Sequence, residues 1–188
     1  QLKPSMRIIK LPRAVRSALG RVLGARGERR LSRLLEVLGE KPVFEYWRLA
    51  EARTRLRREE FDLWGRASLD AILCPAHTLP AMAHGTSGEL TLCNAIPFRY
   101  TYLNFPAGVV PVTRVSEAEA NGSKSNGDRV ERGVARVTAE GAGLPVGVQV
   151  IARPYREDLA LAVMAAIEGA VRHRHDYPVT PVDPKPEG

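Results

Sequence analysis

The sequence predicts an α/β protein. Three short apolar runs, at 69–75, 109–115 and 146–152, are rich in Val, Ile and Leu and lie next to Gly or Pro, as is typical of strands buried on both faces. The segments around these runs carry apolar residues at steps of three and four, which is the spacing of amphipathic helices. Strands that alternate with helices indicate a sheet covered by helical layers.

The strands also predict that the sheet is incomplete. Strands buried on both faces need neighbours at their edges, but residues 1–68 contain only helical patterns. The chain has 188 residues, of which 44% are hydrophobic, and this is enough for one core. Because it begins with Gln1 rather than Met, we expect residues 1–188 to be part of one longer domain.

Residues 8–38 are expected to form a basic pair of helices. Residues 1–39 hold ten Lys or Arg and two Glu, a net charge of +8, whereas the whole chain carries +7. Helical spacing predicts a first helix over 12–24 and a second that ends at Gly39. The apolar stripe of the first helix and the arginines beside it are Ile8, Leu11, Val15, Leu19, Leu23, Arg13, Arg16 and Arg21. The positive charge is therefore local and needs a local explanation.

The rest of the chain divides into helices, loops and a tail. Helical patterns occupy 43–66 and 157–170. Residues 76–95 contain Pro and Gly and predict a long irregular loop on the surface or at a site. Residues 116–142 are polar and rich in Gly, Ser and Asn, which predicts an exposed, mobile insertion. The Pro-rich residues 176–188 are expected to form an extended tail.

Aromatic side chains alternate in the segment between the first two strands. Phe98, Tyr100 and Tyr102 lie two residues apart, and in an extended segment such alternation places only one set of side chains inward. Packing within the sheet is therefore the favoured interpretation of these residues, and a place in a binding channel is the alternative.

No complete catalytic or metal centre is visible. Ser87 lies in a Gly-rich turn near His84, but it lacks the strand-to-helix elbow of a Gly-x-Ser-x-Gly nucleophile. His77 and His84 are seven residues apart with Pro80 between them, so they do not match a metal-ligand spacing. The two cysteines lie in apolar settings rather than in a disulfide framework, which predicts a reducing, intracellular compartment.

Three segments in the same order resemble the amidase signature hydrolases. They are Asp70–Pro75, a strand that ends in Pro; Phe105–Val112, which carries Pro-Ala-x-x-x-Pro; and Gly143–Ala152, which carries Gly-Leu-Pro-x-Gly-x-Gln. The run Phe105-Pro106-Ala107-Gly108-Val109-Val110-Pro111-Val112-Thr113 is most similar to fatty-acid amide hydrolases. The resemblance covers nearly the whole chain except 116–142 and the tail. It implies the C-terminal part of the amidase signature fold, a mixed sheet covered by helices.

The resemblance also implies an activity. Members of the family hydrolyse amides through an acyl-enzyme, using a Ser–cis-Ser–Lys triad in a Gly/Ser-rich segment and no metal or nucleotide cofactor. This chain has no Gly-Gly-Ser-Ser run, so none of its residues is assigned to the triad, and the chain alone is expected to be inactive. Its expected roles are to complete the sheet and to shape an acyl channel, with Phe98, Tyr100 and Tyr102 as candidate wall residues.

The basic helices allow three interpretations. By resemblance, residues 8–38 form a cap that lies on a membrane surface, with its apolar face among acyl chains and its arginines on lipid phosphates. The alternative is an ordinary surface helix with solvated arginines. Nucleic-acid binding fits the isoelectric point of about 9.8, but the basic stretch has no aromatic residue and no reading motif, so no nucleic-acid partner is expected.

The sequence thus leads to one hypothesis and two alternatives. The hypothesis is a serine amidase for long-chain fatty-acid amides, intracellular and peripherally membrane-associated, in which this chain contacts the remainder of the amidase domain. The alternatives are another amidase signature enzyme, such as a general or aminoacyl-tRNA amidase, and a non-catalytic membrane-binding module. The oligomeric state stays open, a homodimer among the options.

Overall fold

The computed structural model describes residues 10–88, 90, 93, 95–121, 125 and 127–179. Ile8 and residues 180–188 of the tail lie outside the described residues. The described residues contain these elements: α1 Arg13–Ala25, α2 Arg29–Val37, α3 Val43–Arg66, β1 Ala71–Pro75, α4 Ala95–Tyr102, β2 Ala107–Arg114, α5 Glu117–Asn121, α6 Arg129–Ala139, β3 Pro145–Ala152 and α7 Glu157–Val171. The α/β prediction is confirmed, as are its three strands.

The strands form one antiparallel sheet in the order β1-β3-β2. Ala71 pairs with Ala152 on one side of β3, and Ala107 pairs with Ile151 on the other. The register shifts between Pro111 and Thr113, where Pro cannot donate to the ladder. As the central strand, β3 is the most deeply covered, and its last three residues have no exposed surface.

Helices cover both faces of the sheet. On one face α7 packs across β2 and β3, and it comes so close to Gly108 that a Cβ there would lie 2.2 Å from the Met164 sulfur. On the other face a core cluster joins the end of α3 to α4 and β3. Its members are Trp64, Tyr100, Leu103, Phe105 and Ile151, with Ile72 and Cys74 packed against them.

Three rings make up most of this core. Trp64 is 1% exposed, and its ring centroid lies 5.3 Å from that of Phe105 and 6.4 Å from that of Tyr100. Tilted and edge-to-face contacts of this kind add to the burial of large apolar surface. Arg153, just after β3, donates to the main-chain oxygens of Trp64 and Leu69, and so fixes the end of α3 against the sheet.

The segment 116–142 corrects the prediction of an exposed insertion. It contains α5 and α6, and α6 buries Val130 and Val137 against Leu79 and Leu90 in a second core cluster. Asp128 caps α6 by accepting from the Glu131 main-chain N–H at 2.9 Å. The Gly- and Ser-rich composition of the segment hid the helical spacing of its valines.

The aromatic segment corrects the prediction of an extended strand. Residues 95–102 form the helix α4, with Pro97 in its first turn, where a proline costs little. Asn104 then takes a positive φ of 56°, which turns the chain into β2. Because the helix repeats every 3.6 residues, Phe98 and Tyr102 share a face from which Tyr100 points away. The interpretation of all three as residues of one sheet was therefore wrong.

Replacing Trp64 with Ala should lower the free energy of unfolding by about 3–5 kcal/mol, because a fully buried indole leaves a cavity. Urea unfolding followed by far-UV circular dichroism measures the loss. Trp47 is 65% exposed, so Trp47→Ala removes the same side chain from the surface and should change the stability by less than about 0.5 kcal/mol. Equal losses in the two variants would contradict this account of the core.

Candidate functional site

A long groove between α3 and α4 is the candidate site. Its wider part has a volume of about 450 Å³ and continues past Tyr102 into a part of about 270 Å³. The residues from α3 that line the two parts include Tyr46, Leu49, Arg53, Leu56, Glu60 and Leu63. These positions are spaced by three and four, so they form one face of the helix.

The structure brings two of the three predicted channel residues to this groove. The rings of Phe98 and Tyr102 stack with centroids 6.1 Å apart and line its wider part together with Thr101. Phe98 is 59% exposed and Tyr102 is 40% exposed, so both present apolar surface. Tyr100 is 9% exposed and belongs to the Trp64 core, where burial raises the pKa of its hydroxyl.

Arg53 joins the two walls of the groove at Tyr102. Its guanidinium lies over the Tyr102 ring, 5.5 Å from the centroid, and its Nε–H donates to the Tyr102 main-chain oxygen. The first contact is a cation–π interaction and the second holds the last turn of α4. A cation therefore lies beside an otherwise apolar surface.

Glu60 and Arg99 join the walls a second time. Glu60 is 7% exposed and forms an ion pair with Arg99, while its other carboxylate oxygen accepts from the Trp64 indole N–H at 3.2 Å. The hydrogen bond from Arg99 to Glu60 raises the pKa of the guanidinium. The charged guanidinium of Arg99 therefore places a polar boundary at the narrow end of the groove.

Sequence reasoning missed the contribution of α3 to this site. The sequence predicted a helix over 43–66 but assigned none of its residues to a site, Arg53 and Glu60 included. The spacing of 46, 49, 53, 56, 60 and 63 was the available indication, since it marks a continuous face. The partner of that face was not visible, because α4 was taken for extended chain.

The described residues that line the groove include no Ser, Cys or Lys, and Ser87 lies outside it. Ser87 is exposed in the loop after β1, at a turn rather than at a strand-to-helix elbow. Burial raises the pKa of both thiols, Cys74 and Cys93, so neither is activated. Within the described residues, no three His, Cys, Asp or Glu side chains are placed to hold a metal ion.

The basic helices form a hairpin. Gly20 and Gly24 of α1 pack against Ser32 of α2, and a Cβ at Gly24 would lie 3.3 Å from the Ser32 hydroxyl. The opposite side of α1 exposes Val15, Leu19 and Val22 by 40–49%. Of the other residues predicted to face a membrane, Arg13 and Arg21 are exposed, whereas Leu11 and Leu23 are half-buried. None of the helices within the described ranges combines the length and the apolar character that crossing a membrane requires.

Arg16 departs from the predicted pattern. It is 8% exposed, and its guanidinium donates to the Leu11 main-chain oxygen at 2.6 Å. Gly39 has a φ of 115° and lies against Arg16, so that a Cβ there would be 2.1 Å from the guanidinium. The expectation that Arg16 contacts lipid phosphates together with Arg13 and Arg21 is wrong for this conformation, because the turn after α2 covers it.

An ion-pair cluster fastens the hairpin to α6. Arg30 of α2 lies 2.6 Å from Asp128 and 3.0 Å from Glu131. Glu28, at the start of α2, accepts from the Arg129 main-chain N–H at 3.0 Å and lies 3.6 Å from Arg132. Burial alone would raise the pKa of Asp128, but the N–H of Glu131 and the charge of Arg30 hold it below its ordinary value of 3.8. The hairpin is thus held where α6 begins.

The sequence profile of the amidase family matches residues 8–161 of this chain. Since that match covers most of the chain, the protein belongs to the amidase family.

Among curated proteins, the chain is 37% identical over 146 residues to fatty acid amide hydrolase 1 of Caenorhabditis elegans and 32% identical over 165 residues to fatty-acid amide hydrolase 1 of Sus scrofa. These alignments cover 76% and 86% of this chain but only 25% and 28% of the relatives. A solved fatty acid amide hydrolase superposes with a TM-score of 0.56 over 85% of this chain and 32% of its own, at 16% identity. The fold is therefore that of a part of an amidase, and the resemblance seen in the sequence is confirmed.

Asp128 supports both α6 and the hairpin, and its variants separate the two roles. Asp128→Ala should destabilise the protein by about 1 kcal/mol through loss of the cap. Asp128→Asn keeps a capping oxygen and loses only the charge, so it should destabilise less. Since the folded-state pKa is lowered, the contribution of the charge is complete above pH 3.8 and is lost as the pH falls through the folded-state value.

Urea unfolding of both variants between pH 3 and pH 7 tests this expectation. The difference between the wild type and Asp128→Asn should shrink towards low pH. A difference that grows on acidification would show that the charge of Asp128 does not act as described.

Proposed function

We propose that this chain belongs to a serine amidase that hydrolyses long-chain fatty-acid amides, and that it supplies the wall of the acyl-binding site. The observation that carries the proposal is the groove between α3 and α4, in which apolar side chains from both helices are exposed. Membership in the amidase family supplies the reaction class, and the fatty-acid amide hydrolases among its relatives support the substrate class.

The groove has the surface that an acyl chain needs. Tyr46, Leu49, Phe98 and Tyr102 offer aromatic and aliphatic contact along its wider part. Burial of methylene groups contributes about 0.8 kcal/mol each, so a long chain gains binding energy at every turn of α3 that it covers. A short-chain amide lacks that gain, and the site would therefore favour long chains.

In our proposal the chemistry itself depends on groups outside this chain. Amide hydrolysis requires an activated nucleophile and donors for the oxyanion. In our proposal the Ser–cis-Ser–Lys triad lies in the remainder of the amidase domain, and no metal or nucleotide takes part.

The sheet offers a place for that remainder. Among the described strands, β1 and β2 each pair on one side only, so each leaves a row of main-chain groups at an edge. Leu73 of β1 and Val109 of β2 are 55% and 51% exposed, more than strands with covered faces usually show. We propose that further strands and helices of the amidase domain cover these edges and faces.

We also propose that the hairpin of α1 and α2 rests on an intracellular membrane surface beside the site. Val15, Leu19 and Val22 form an exposed apolar stripe, with Arg13 and Arg21 exposed on the same helix. Such a helix lies in the interface plane, and each basic residue near an anionic leaflet contributes roughly 1 kcal/mol. A cap at a lipid surface would place the groove near the source of its substrates.

The acyl-site proposal is tested in the complete open reading frame that contains this chain. The wild type should hydrolyse oleamide with a lower KM than hexanamide. Phe98→Ala should raise the KM for oleamide about tenfold while kcat changes little, because the ring contributes uniform binding rather than transition-state contact. Steady-state kinetics with both amides measure the effect.

Phe44→Ala is the matched control, since Phe44 is 83% exposed and lies off the groove. Its KM for oleamide should equal that of the wild type. Failure of the wild-type protein to hydrolyse fatty-acid amides would reject the enzyme proposal. Hydrolysis of short amides alone would favour a general amidase.

The membrane proposal predicts binding to anionic vesicles at low salt. The complete protein should sediment with vesicles of phosphatidylcholine and phosphatidylserine, and the bound fraction should fall as salt rises, because screening weakens the attraction. Arg13→Glu/Arg21→Glu should reduce binding severalfold, and Leu19→Asp should reduce it through the apolar stripe. Arg172→Glu, the same substitution at one exposed arginine at the end of α7, should leave binding near the wild-type level. Binding that is indifferent to both hairpin variants would overturn the proposal.

A further inference from the structure

Glu60 is a carboxylate in an almost water-free position. Its side chain is 8% exposed, and both carboxylate oxygens are used, one by Arg99 and the other by the indole N–H of Trp64. A buried charge is costly unless it is paired and hydrogen-bonded, and removal of its partners costs more than the pair gains. We therefore expect a buried, paired carboxylate where it holds two structural elements in a fixed relative position.

The geometry that Glu60 fixes is the position of α4 on α3. Arg99 follows Phe98 directly and lies one turn before Tyr102, so the ion pair holds the middle of the segment that bears both groove aromatics. Arg99 and Tyr102 also line the narrow part of the groove together. A shift of Arg99 along α3 therefore moves the stacked rings of Phe98 and Tyr102.

Few other bonds hold this short helix. In the part of the chain that the structure describes, two side chains of α3 bond to α4: Glu60 through Arg99, and Arg53 through the Tyr102 main-chain oxygen. Arg53 holds the end of α4, and Glu60 holds its centre. The two hydrogen bonds therefore hold α4 on α3 at two points, in addition to the packing of Tyr100 in the core.

Trp64 extends the effect of Glu60 into the core. By accepting from the indole N–H, Glu60 ties the position of Arg99 to the best-buried ring of the protein, which itself packs against Tyr100 on the inner side of α4. The two sides of α4 therefore contact the same turn of α3, Arg99 through Glu60 and Tyr100 through Trp64.

We propose that Glu60 is a positioning residue for the acyl substrate, acting through Arg99. It sets the separation between the Phe98–Tyr102 wall and the Tyr46–Leu49 wall, and thereby the contact that a long acyl chain makes with both walls. The inference rests on the proposed acyl-binding function of the groove.

The test uses the complete protein with oleamide and hexanamide as substrates. Glu60→Leu should raise the KM for oleamide about tenfold with little change in kcat, since the wall moves and the reacting groups do not. The KM for hexanamide should stay within about twofold, because a short chain does not reach the wall. Glu60→Gln keeps one of the two acceptor oxygens and turns its NH₂ towards the other donor, so it should raise the oleamide KM by an intermediate amount, about threefold.

Glu51→Leu is the matched control, since Glu51 is exposed on the same helix. It should leave the ratio of the two KM values as in the wild type. The double variant Glu60→Leu/Arg99→Leu replaces the pair with two apolar side chains and should melt at least as high as Glu60→Leu, because the guanidinium, 60% exposed in the wild type, no longer lies against an apolar side chain. It should not recover the oleamide KM.

The outcomes separate the inference from the function on which it rests. If the wild type hydrolyses oleamide and both Glu60→Leu variants keep the wild-type KM ratio while the melting temperature falls, Glu60 is only structural and the inference is wrong. If the wild type does not hydrolyse oleamide, the proposed function fails and the inference fails with it. A raised oleamide KM in a double variant that melts near the wild-type temperature supports positioning.

Discussion

The structure depends on the burial of β3 between two helical layers. The last residues of this strand have no exposed surface, so each face of the sheet must carry a large apolar partner. Trp64 provides it on one face and α7 on the other. Because Trp64 lies near the end of α3, its burial fixes that end of the helix against the sheet. The rest of α3 extends from this point, and its face from Tyr46 to Leu63 lines the groove.

Polar groups in this core also hold Trp64 in its position. Glu60 accepts from the indole N–H of Trp64, a buried donor that would cost about 1–3 kcal/mol if it were left without a partner. Arg153 adds a second donor to the main-chain oxygen of Trp64, beside the N–H of Leu69. The face that holds the core together and the face that forms the groove are therefore connected through a few side chains of one helix.

Much of the fold was predictable from the sequence, because its patterns are local. The helix over 43–66 and the three strands follow from periodicity and from Gly and Pro, and the structure confirms them. The predictions fail where one local pattern is compatible with both a strand and a helix. Phe98, Tyr100 and Tyr102 satisfy both a two-residue and a helical repeat, and only the contact of Tyr100 with Trp64 decides between them.

The candidate site was predictable only in part, for a related reason. Phe98 and Tyr102 could be found from composition, but Arg53 and Glu60 act through partners about forty to fifty residues away along the chain. The burial of Arg16 likewise depends on Gly39, which no pattern within α1 reveals. Contacts between residues so far apart along the chain form only in the tertiary structure, and they produce no periodic pattern in the sequence.

The pairing of Ala71 with Ala152 has a consequence for synthesis of the protein. β1 emerges from the ribosome about eighty residues before its partner, which at 5–20 residues per second is an interval of roughly 4–16 s. During that time the apolar β1 and the Trp64 end of α3 lack β3 as a partner, and long-range pairing of this kind is intrinsically slow. The nascent chain therefore passes through a period of exposed β-prone surface, in which cellular chaperones have a natural substrate.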